Sequence, residues 1–311
     1  MSVSQDFLQK SGWNGATLEP VTGDASARKY FRLRRKNETV ILMDASHARE
    51  TVPPFVRIAE HLHGLGFSAP KILAREMENG FLLLEDFGDE TFSRLLDNNF
   101  DPEELFTLGT DVLIALHRHS NAVPSNLRPY SPHAMLADAE LFLKVHGISG
   151  TGESEFRKIW LEILPLAHEV PVSLLLRDYH VANVMLLRGQ GGVRRAGLLD
   201  FQDAYQGPIT YDLVSLLEDA RRDLPSGLKP KMVARYLGGF PNLDRERFKT
   251  SMAILSALRH TRVLAVFEKL SRDGKPNYKR MHSPRVERLL HEALQHPKLA
   301  GLKNWFATYA Q

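Results

Sequence analysis

Leu176-Arg177-Asp178-Tyr179-His180-Val181-Ala182-Asn183, followed by Leu198-Leu199-Asp200-Phe201-Gln202-Asp203, is the stretch from which the rest of the chain can be read. Short apolar runs end in polar residues, which places Asp178, Asn183 and Asp200 where the chain changes direction. An acid and an amide separated by five positions, then a second acid at a strand end, suit a proton acceptor beside a hard cation. Those groups are what moving a phosphoryl group onto a hydroxyl needs, provided the rest of the chain supplies a nucleotide pocket.

The chain is large enough for that. Its 311 residues allow two domains or one bilobal one, and 43% apolar with 25% charged residues is ordinary globular composition. Forty basic residues against 37 acidic ones give a net charge of +3, too little to imply a nucleic-acid partner even with a pI near 9.0. There is no cysteine, so disulfides, thiolate nucleophiles and cysteine-bound metal centres are excluded. The opening residues carry no basic segment leading into an apolar one, and the longest apolar runs are far too short to span a bilayer. The expectation is a cytoplasmic, monomeric globular protein without membrane or nucleic-acid partners.

Upstream of the deciding stretch, residues 4–13 read as a short helix. Strands are expected at the start and end of the segment 18–33, around a turn of Gly23, Asp24, Ala25 and Ser26, and again over 40–44. Small residues there let backbone amides approach a phosphate, with Ser26 adding a hydroxyl donor; an ordinary hairpin loop is the plainer reading. Pro53-Pro54 opens a helix to about Leu65, and strands follow at 70–74 and 80–85. Glu85-Asp86-Phe87-Gly88-Asp89 breaks the pattern as a connector. This predicts a sheet-rich nucleotide-binding lobe over 1–87, hinge included.

Residues 88–311 read as a mainly helical catalytic lobe. Helices are expected over about 102–119, 132–145, 153–168, 211–222, 230–237, 244–271, 283–296 and 299–307, with strands at 172–176, 184–187 and 194–199. Ser271 to Tyr278 reads as a mobile loop. His180 reads as a loop-holding imidazole rather than a metal ligand. Asp203 either assists a metal or fixes a turn. Asp212 is a helix N-cap or an anchor for the Asp178 loop. Glu218, Asp219, Arg221 and Arg222 form a charge run expected mostly in solvent, with one acid able to reach a substrate.

Asp178 to Asn183 and Leu199 to Asp203 resemble the catalytic and metal-binding segments of the aminoglycoside phosphotransferase and choline-kinase-like family. The longer stretches Leu175 to His180, Gly197 to Ala204 and Tyr211 to Asp223 resemble its subgroup of bacterial anomeric kinases of N-acetylmuramate and N-acetylglucosamine in cell-wall recycling. Gly23 to Phe31 and Phe81 to Gly88 match the phosphate-loop and hinge regions, so the likeness covers nearly the whole chain. It implies an α+β, protein-kinase-like bilobal fold with a small antiparallel-sheet lobe and a larger helical lobe. It further implies ATP and Mg2+ as cofactors and an amino sugar as acceptor. Asp178 would be the base and Asn183 and Asp200 the metal ligands. Gly23, Asp24, Ala25, Ser26 and Arg28 would lie by the phosphates, and Glu85 and Phe87 by the adenine. His180, Asp203, Glu218 and Asp219 would contact or support the acceptor.

Two positions depart from the family pattern. Leu176 stands where many relatives have histidine, a structural position whose loss should alter packing more than chemistry. Met43 stands about where a phosphate-pairing lysine is expected, and Glu50 and Glu60 only flank the place of its usual glutamate partner. The missing positive charge must come from Arg28, Lys29, Arg32 or another basic residue, or magnesium must carry more of the load. The alternatives are a kinase of another small hydroxyl compound (choline, homoserine, an aminoglycoside) and a catalytically inactive nucleotide-binding scaffold. A cationic acceptor would require an acidic or aromatic cage, which makes Glu218 and Asp219 the residues that discriminate.

Overall fold

The computed structural model describes residues 5–21 and 28–310. The fold is α+β and bilobal: Met1–Phe100 with Val181–Ala204 form one compact unit, and Asp101–His180 with Tyr205–Gln311 form the other. The first unit thus runs beyond the expected hinge and takes back the segment that carries Asn183 and Asp200. The turn residues Gly23, Asp24, Ala25 and Ser26 lie outside the described residues.

In the first unit, α1 (Gln5–Lys10) precedes β1 (Thr17–Val21), β2 (Lys29–Arg35) and β3 (Glu38–Asp44). Then come α2 (Val52–Gly64), β4 (Ile72–Glu76), β5 (Phe81–Glu85) and α3 (Phe92–Asp97). The strands make one five-stranded antiparallel sheet in the order β1-β2-β3-β5-β4. Side chains alternate across it. Phe31, Leu33, Val40, Leu42, Phe81 and Leu83 share one face, which Phe7, Leu8 and Trp13 cover. Tyr30, Arg32, Ile41, Met43, Leu82 and Leu84 share the other, by the register Tyr30↔Met43↔Leu82 and Arg32↔Ile41↔Leu84. Adjacent prolines open α2, whose first-turn N–H groups need no helical partner.

The second unit begins with α4 (Pro102–Arg118), capped by Asp101 accepting from the Glu103 N–H at 2.9 Å. It continues with α5 (Pro132–His146), α6 (Thr151–Ile163) and β6 (Val172–Leu175). After the hairpin of β7 (Val184–Leu186) and β8 (Ala196–Leu198), which belongs to the first unit, β9 (Tyr205–Pro208) returns to pair with β6. The helices α7 (Thr210–Leu217), α8 (Leu228–Gly238), α9 (Arg245–Arg272), α10 (Pro276–Ala293) and α11 (Ala300–Tyr309) complete it. Its core gathers Phe142, Phe156, Trp160, Leu258 and Trp305 around α9.

Several boundaries differ from expectation. The helix expected over 153–168 changes to a tighter 3-10 turn after Ile163, where Pro165 removes an N–H. Arg194 and Arg195, expected to begin a strand, instead close a 3-10 turn over Gly192–Arg195. The loop expected at 271–278 instead holds the start of α10, because Pro276 sits in its first turn. The helix expected over 211–222 stops at Leu217, and Glu218 leaves helical geometry at φ −126° and ψ 47°. Among the described residues, no helix is long and apolar enough to cross a membrane.

Candidate active site

The second unit holds Asp178 in a loop fixed at every step. Asp212, wholly buried, accepts from the backbone N–H of Leu176 at 2.6 Å and of Arg177 at 2.9 Å. Ile209, not Asp212, occupies the N-cap position of α7, so the anchoring role is the one realised. Burial pushes the Asp212 carboxyl up to about 7, against the lowering effect of those N–H donors. Arg177 adopts a left-handed backbone at φ +68°, uncommon for a residue with a side chain, which turns the chain sharply before Asp178. Its guanidinium donates to Asp138 at 2.7 Å and lies over the rings of Tyr130 and Tyr205, while its carbonyl accepts from Arg259 at 3.3 Å. The Asp178 N–H closes a tight turn on the Leu176 carbonyl at 2.9 Å, and the Tyr179 hydroxyl donates to the Gly109 carbonyl at 2.9 Å. Asp178 itself is half-buried.

His180 follows two residues later, and its N–H donates to the Asp178 carbonyl at 3.1 Å. Burial lowers its imidazole to about 4, with Asp219 opposing and Arg259 and Arg221 reinforcing, so it is neutral near pH 7. The same couplings place Asp219, Arg221 and Arg259 within electrostatic reach of the Asp178 loop. Asp219 is buried; its Oδ1 accepts from the Arg221 N–H at 2.7 Å, while Oδ2 is enclosed without a hydrogen-bond partner among the described residues.

Glu218 is buried too, which corrects the expectation that this charge run faces water. Its Oε2 accepts from Ser256 at 2.5 Å and His260 at 2.7 Å, and its Oε1 pairs with Lys229 at 2.8 Å. Burial raises its carboxyl, but the His260 and Lys229 interactions outweigh burial and hold it down at about 2. With both oxygens engaged, Glu218 supports the end of α7 and presents no open carboxylate to a substrate.

The first unit carries the metal-ligand candidates at the base of the β7–β8 hairpin. The Leu199 N–H donates to the Asn183 carbonyl at 3.0 Å, which sets Asn183 beside the strand end that leads into Asp200. Asp200 has φ +57°, a second left-handed residue with a side chain. The hairpin is stitched to its own unit: Leu198 donates to Ser68 at 2.7 Å, Leu186 to Glu90 at 2.8 Å, and Phe55 stacks on Phe201. Gly197 is required there, since a Cβ would lie 2.8 Å from the Phe87 ring. Gln202 donates to Asp200 at 3.1 Å and to Asp203 at 3.1 Å, tying the exposed Asp203 to Asp200.

An oxygen donor set of one carboxylate and one amide suits magnesium rather than a soft metal. Among the described residues, no group of three or more His, Asp or Glu side chains forms a metal cage. The pair therefore fits an ion that arrives with further oxygen ligands, as a nucleotide-bound one does.

In the hinge, Arg32 is buried and makes a bidentate pair with Asp86 at 2.7 and 2.9 Å, with further bonds to Asp89 at 3.0 Å and the Gly88 carbonyl at 2.9 Å. Gly88 supplies the positive φ (+81°) of that turn. The Glu85 N–H is taken by the Lys71 carbonyl at 2.8 Å. Met43 is wholly buried, and Glu60 pairs with the exposed Arg75 at 3.2 Å. Arg28 places Nη2 2.5 Å from Asp200 Oδ1. The Arg32–Asp86, Arg177–Asp138 and Gln202–Asp200 contacts were not expected from sequence; strand alternation could have flagged only Arg32.

A model of the phosphotransferase enzyme family matches residues 17–248. An N-acetylmuramate/N-acetylglucosamine kinase of Pseudomonas aeruginosa is 35% identical over 330 aligned residues, covering 100% of this chain and 94% of that one. Its counterpart in Caulobacter vibrioides is 33% identical over 346, covering 97% and 94%. The fold matches choline kinase LicA from Streptococcus pneumoniae with a TM-score of 0.66 at 15% identity, covering 94% of this chain and 100% of that one.

Proposed function

The chain belongs to the phosphotransferase enzyme family, and from that premise we propose that it transfers the terminal phosphoryl group of ATP to the C1 hydroxyl of N-acetylmuramate or N-acetylglucosamine. The observation that carries this reading is the likeness, over nearly its full length, to kinases of these amino sugars.

Asp178 accepts the proton of the attacking hydroxyl. An anomeric hydroxyl is more acidic than an ordinary alcohol, so a half-buried carboxylate serves without special activation. The Asp212 anchor and the Arg177 clamp fix where that carboxylate points, and correct placement accounts for a large share of the rate. Asn183 and Asp200 would hold a magnesium ion, whose chemistry there would be to neutralise charge on the phosphates. The backbone from Glu85 to Phe87 meets the adenine edge. On the acceptor side we assign Asp219 to the sugar hydroxyls, because its enclosed Oδ2 lacks a partner among the described residues and its charge reaches His180. His180, neutral and half-buried, holds the loop, and Asp203 supports Asp200 through Gln202.

A cationic acceptor such as choline is disfavoured, because Glu218, one of the two acids a cage would use, is spent on Lys229, His260 and Ser256. The test is phosphoryl transfer to N-acetylmuramate, N-acetylglucosamine, glucose, choline and an aminoglycoside, compared at equal concentration. The two N-acetylated sugars should lead by orders of magnitude in kcat/KM; preference for choline or the aminoglycoside would overturn the proposal.

A further inference from the structure

Met43 puts an apolar side chain where a cation is expected, and the sheet register sorts the basic residues near it. Met43 lies opposite Tyr30 on β2, so it shares a face with even-numbered β2 residues. Lys29 falls on the opposite face, with Phe31 and Leu33. Arg32 is on the right face, but its guanidinium is fully engaged by Asp86, Asp89 and the Gly88 carbonyl. Releasing it would orphan a buried carboxylate, since the Asp86 side chain is 6% exposed. Arg28 immediately precedes β2 in phase with Tyr30 and Arg32, and its side chain is 8% exposed.

Arg28 does not point at random. Its Nη2 lies 2.5 Å from Oδ1 of Asp200, across 172 positions of sequence, and Asp200 is the charged half of the metal-ligand pair. Both charges also act on the Tyr30 hydroxyl, whose pKa burial drives up to about 12, with Arg28 lowering and Asp200 raising it. The Asp200 carboxylate remains 37% exposed, so an incoming cation can reach it.

We propose that Arg28 is the phosphate-pairing cation of this chain, held on Asp200 until a metal and nucleotide exchange it onto the phosphates. This deepens the kinase reading and rests on it. A guanidinium and a divalent cation compete for one carboxylate, so Arg28 leaves Asp200 when that carboxylate takes a metal ion. The fork of N–H donors then suits a phosphate, which it pairs in two-point fashion where a lysine offers a point charge. Two consequences have opposite sign. Arg28 weakens metal binding in the absence of nucleotide, and it strengthens nucleotide binding in the presence of metal.

The experiment measures Mn2+ binding to the nucleotide-free protein by electron paramagnetic resonance, and Mg·ATP binding by calorimetry. Wild type, Arg28→Ala and Arg28→Lys are compared. Arg28→Ala should bind Mn2+ several-fold tighter and Mg·ATP about tenfold weaker, the order expected for one charge-assisted hydrogen bond. Arg28→Lys should recover most of the nucleotide affinity and bind Mn2+ near the wild-type level. Either affinity unchanged in Arg28→Ala overturns the proposal, as do both falling together, which is what a merely structural residue would give. Wild-type turnover of N-acetylglucosamine tests the acceptor reading separately, and no Arg28 variant enters that measurement.

Discussion

The buried carboxylate of Asp212 accepts a 2.6 Å hydrogen bond from the backbone N–H of Leu176, two residues before Asp178. The anchor of the Asp178 loop is therefore made by main chain, and the Leu176 side chain is free to pack as a hydrophobe, 3% exposed. Replacing Asp212 by Ala leaves two buried N–H donors unmatched, which should cost about 2–4 kcal/mol at ~1–3 per orphaned group, less partial relaxation. Urea unfolding reads the loss, and kcat should fall with KM for ATP unchanged.

Two partly buried imidazoles make stability fall as the medium is acidified below neutrality. His180, lowered to about 4, and His117, lowered to about 3, both chiefly by desolvation, stay neutral in the folded chain and protonate near 6.5 when it unfolds. Their stabilising contribution is present above 6.5 and is lost as pH falls toward 4. Asp212 works the other way: raised from 3.8 to about 7, it keeps its proton when folded, so its contribution declines as pH rises through that interval. Two groups against one leave a net loss on acidification below 6.5 of up to ~1.4 kcal/mol per pH unit. Denaturant midpoints should drop over that interval, and His180→Asn should flatten the slope. A flat wild-type profile would contradict the two histidine assignments.

Asp219→Asn keeps the shape of a residue whose Oδ2 has no hydrogen-bond partner among the described residues, so folding should survive it. If that oxygen accepts a sugar hydroxyl, KM for the sugar rises about tenfold with KM for ATP unaffected, the price of one charged hydrogen bond. An unchanged sugar KM removes Asp219 from the acceptor site.

Arg221 is exposed, and its charge is felt at His180 beside Asp178. N-acetylmuramate carries a lactyl carboxylate that N-acetylglucosamine lacks. Arg221→Ala should therefore raise KM for N-acetylmuramate several-fold and leave N-acetylglucosamine turnover near wild type; equal effects on both would assign Arg221 to another role.

Sequence patterns were informative wherever a segment makes its own case. Short apolar runs announced β3 and β5, and Asp101-Pro102-Glu103 announced α4. Asp178, Asn183 and Asp200 stood out because polar residues ended apolar runs. What sequence hid depends on distant partners. β9 (Tyr-Gln-Gly-Pro) has no strand signature and exists because β6 offers it an edge. Glu218 looked like a solvent charge because His260 and Ser256, which bury it, lie 42 and 38 positions away. The Arg28–Asp200 pair joins residues 172 positions apart, so no local pattern announces it. The six-residue α3 was missed because it is too short to show a period, although Thr91 caps it by accepting from Arg94.

The central claim is attack by an anomeric hydroxyl assisted by Asp178, and the position of the phosphate in the product tests it most directly. Wild-type protein, ATP and N-acetylglucosamine should give, by 31P–1H correlation NMR, a product whose phosphorus couples to H1. Asp178→Asn should give the same product at a rate lower by about 10²–10⁴, the usual worth of general base assistance. Phosphorus coupled only to H6, or turnover unchanged in Asp178→Asn, would contradict the account.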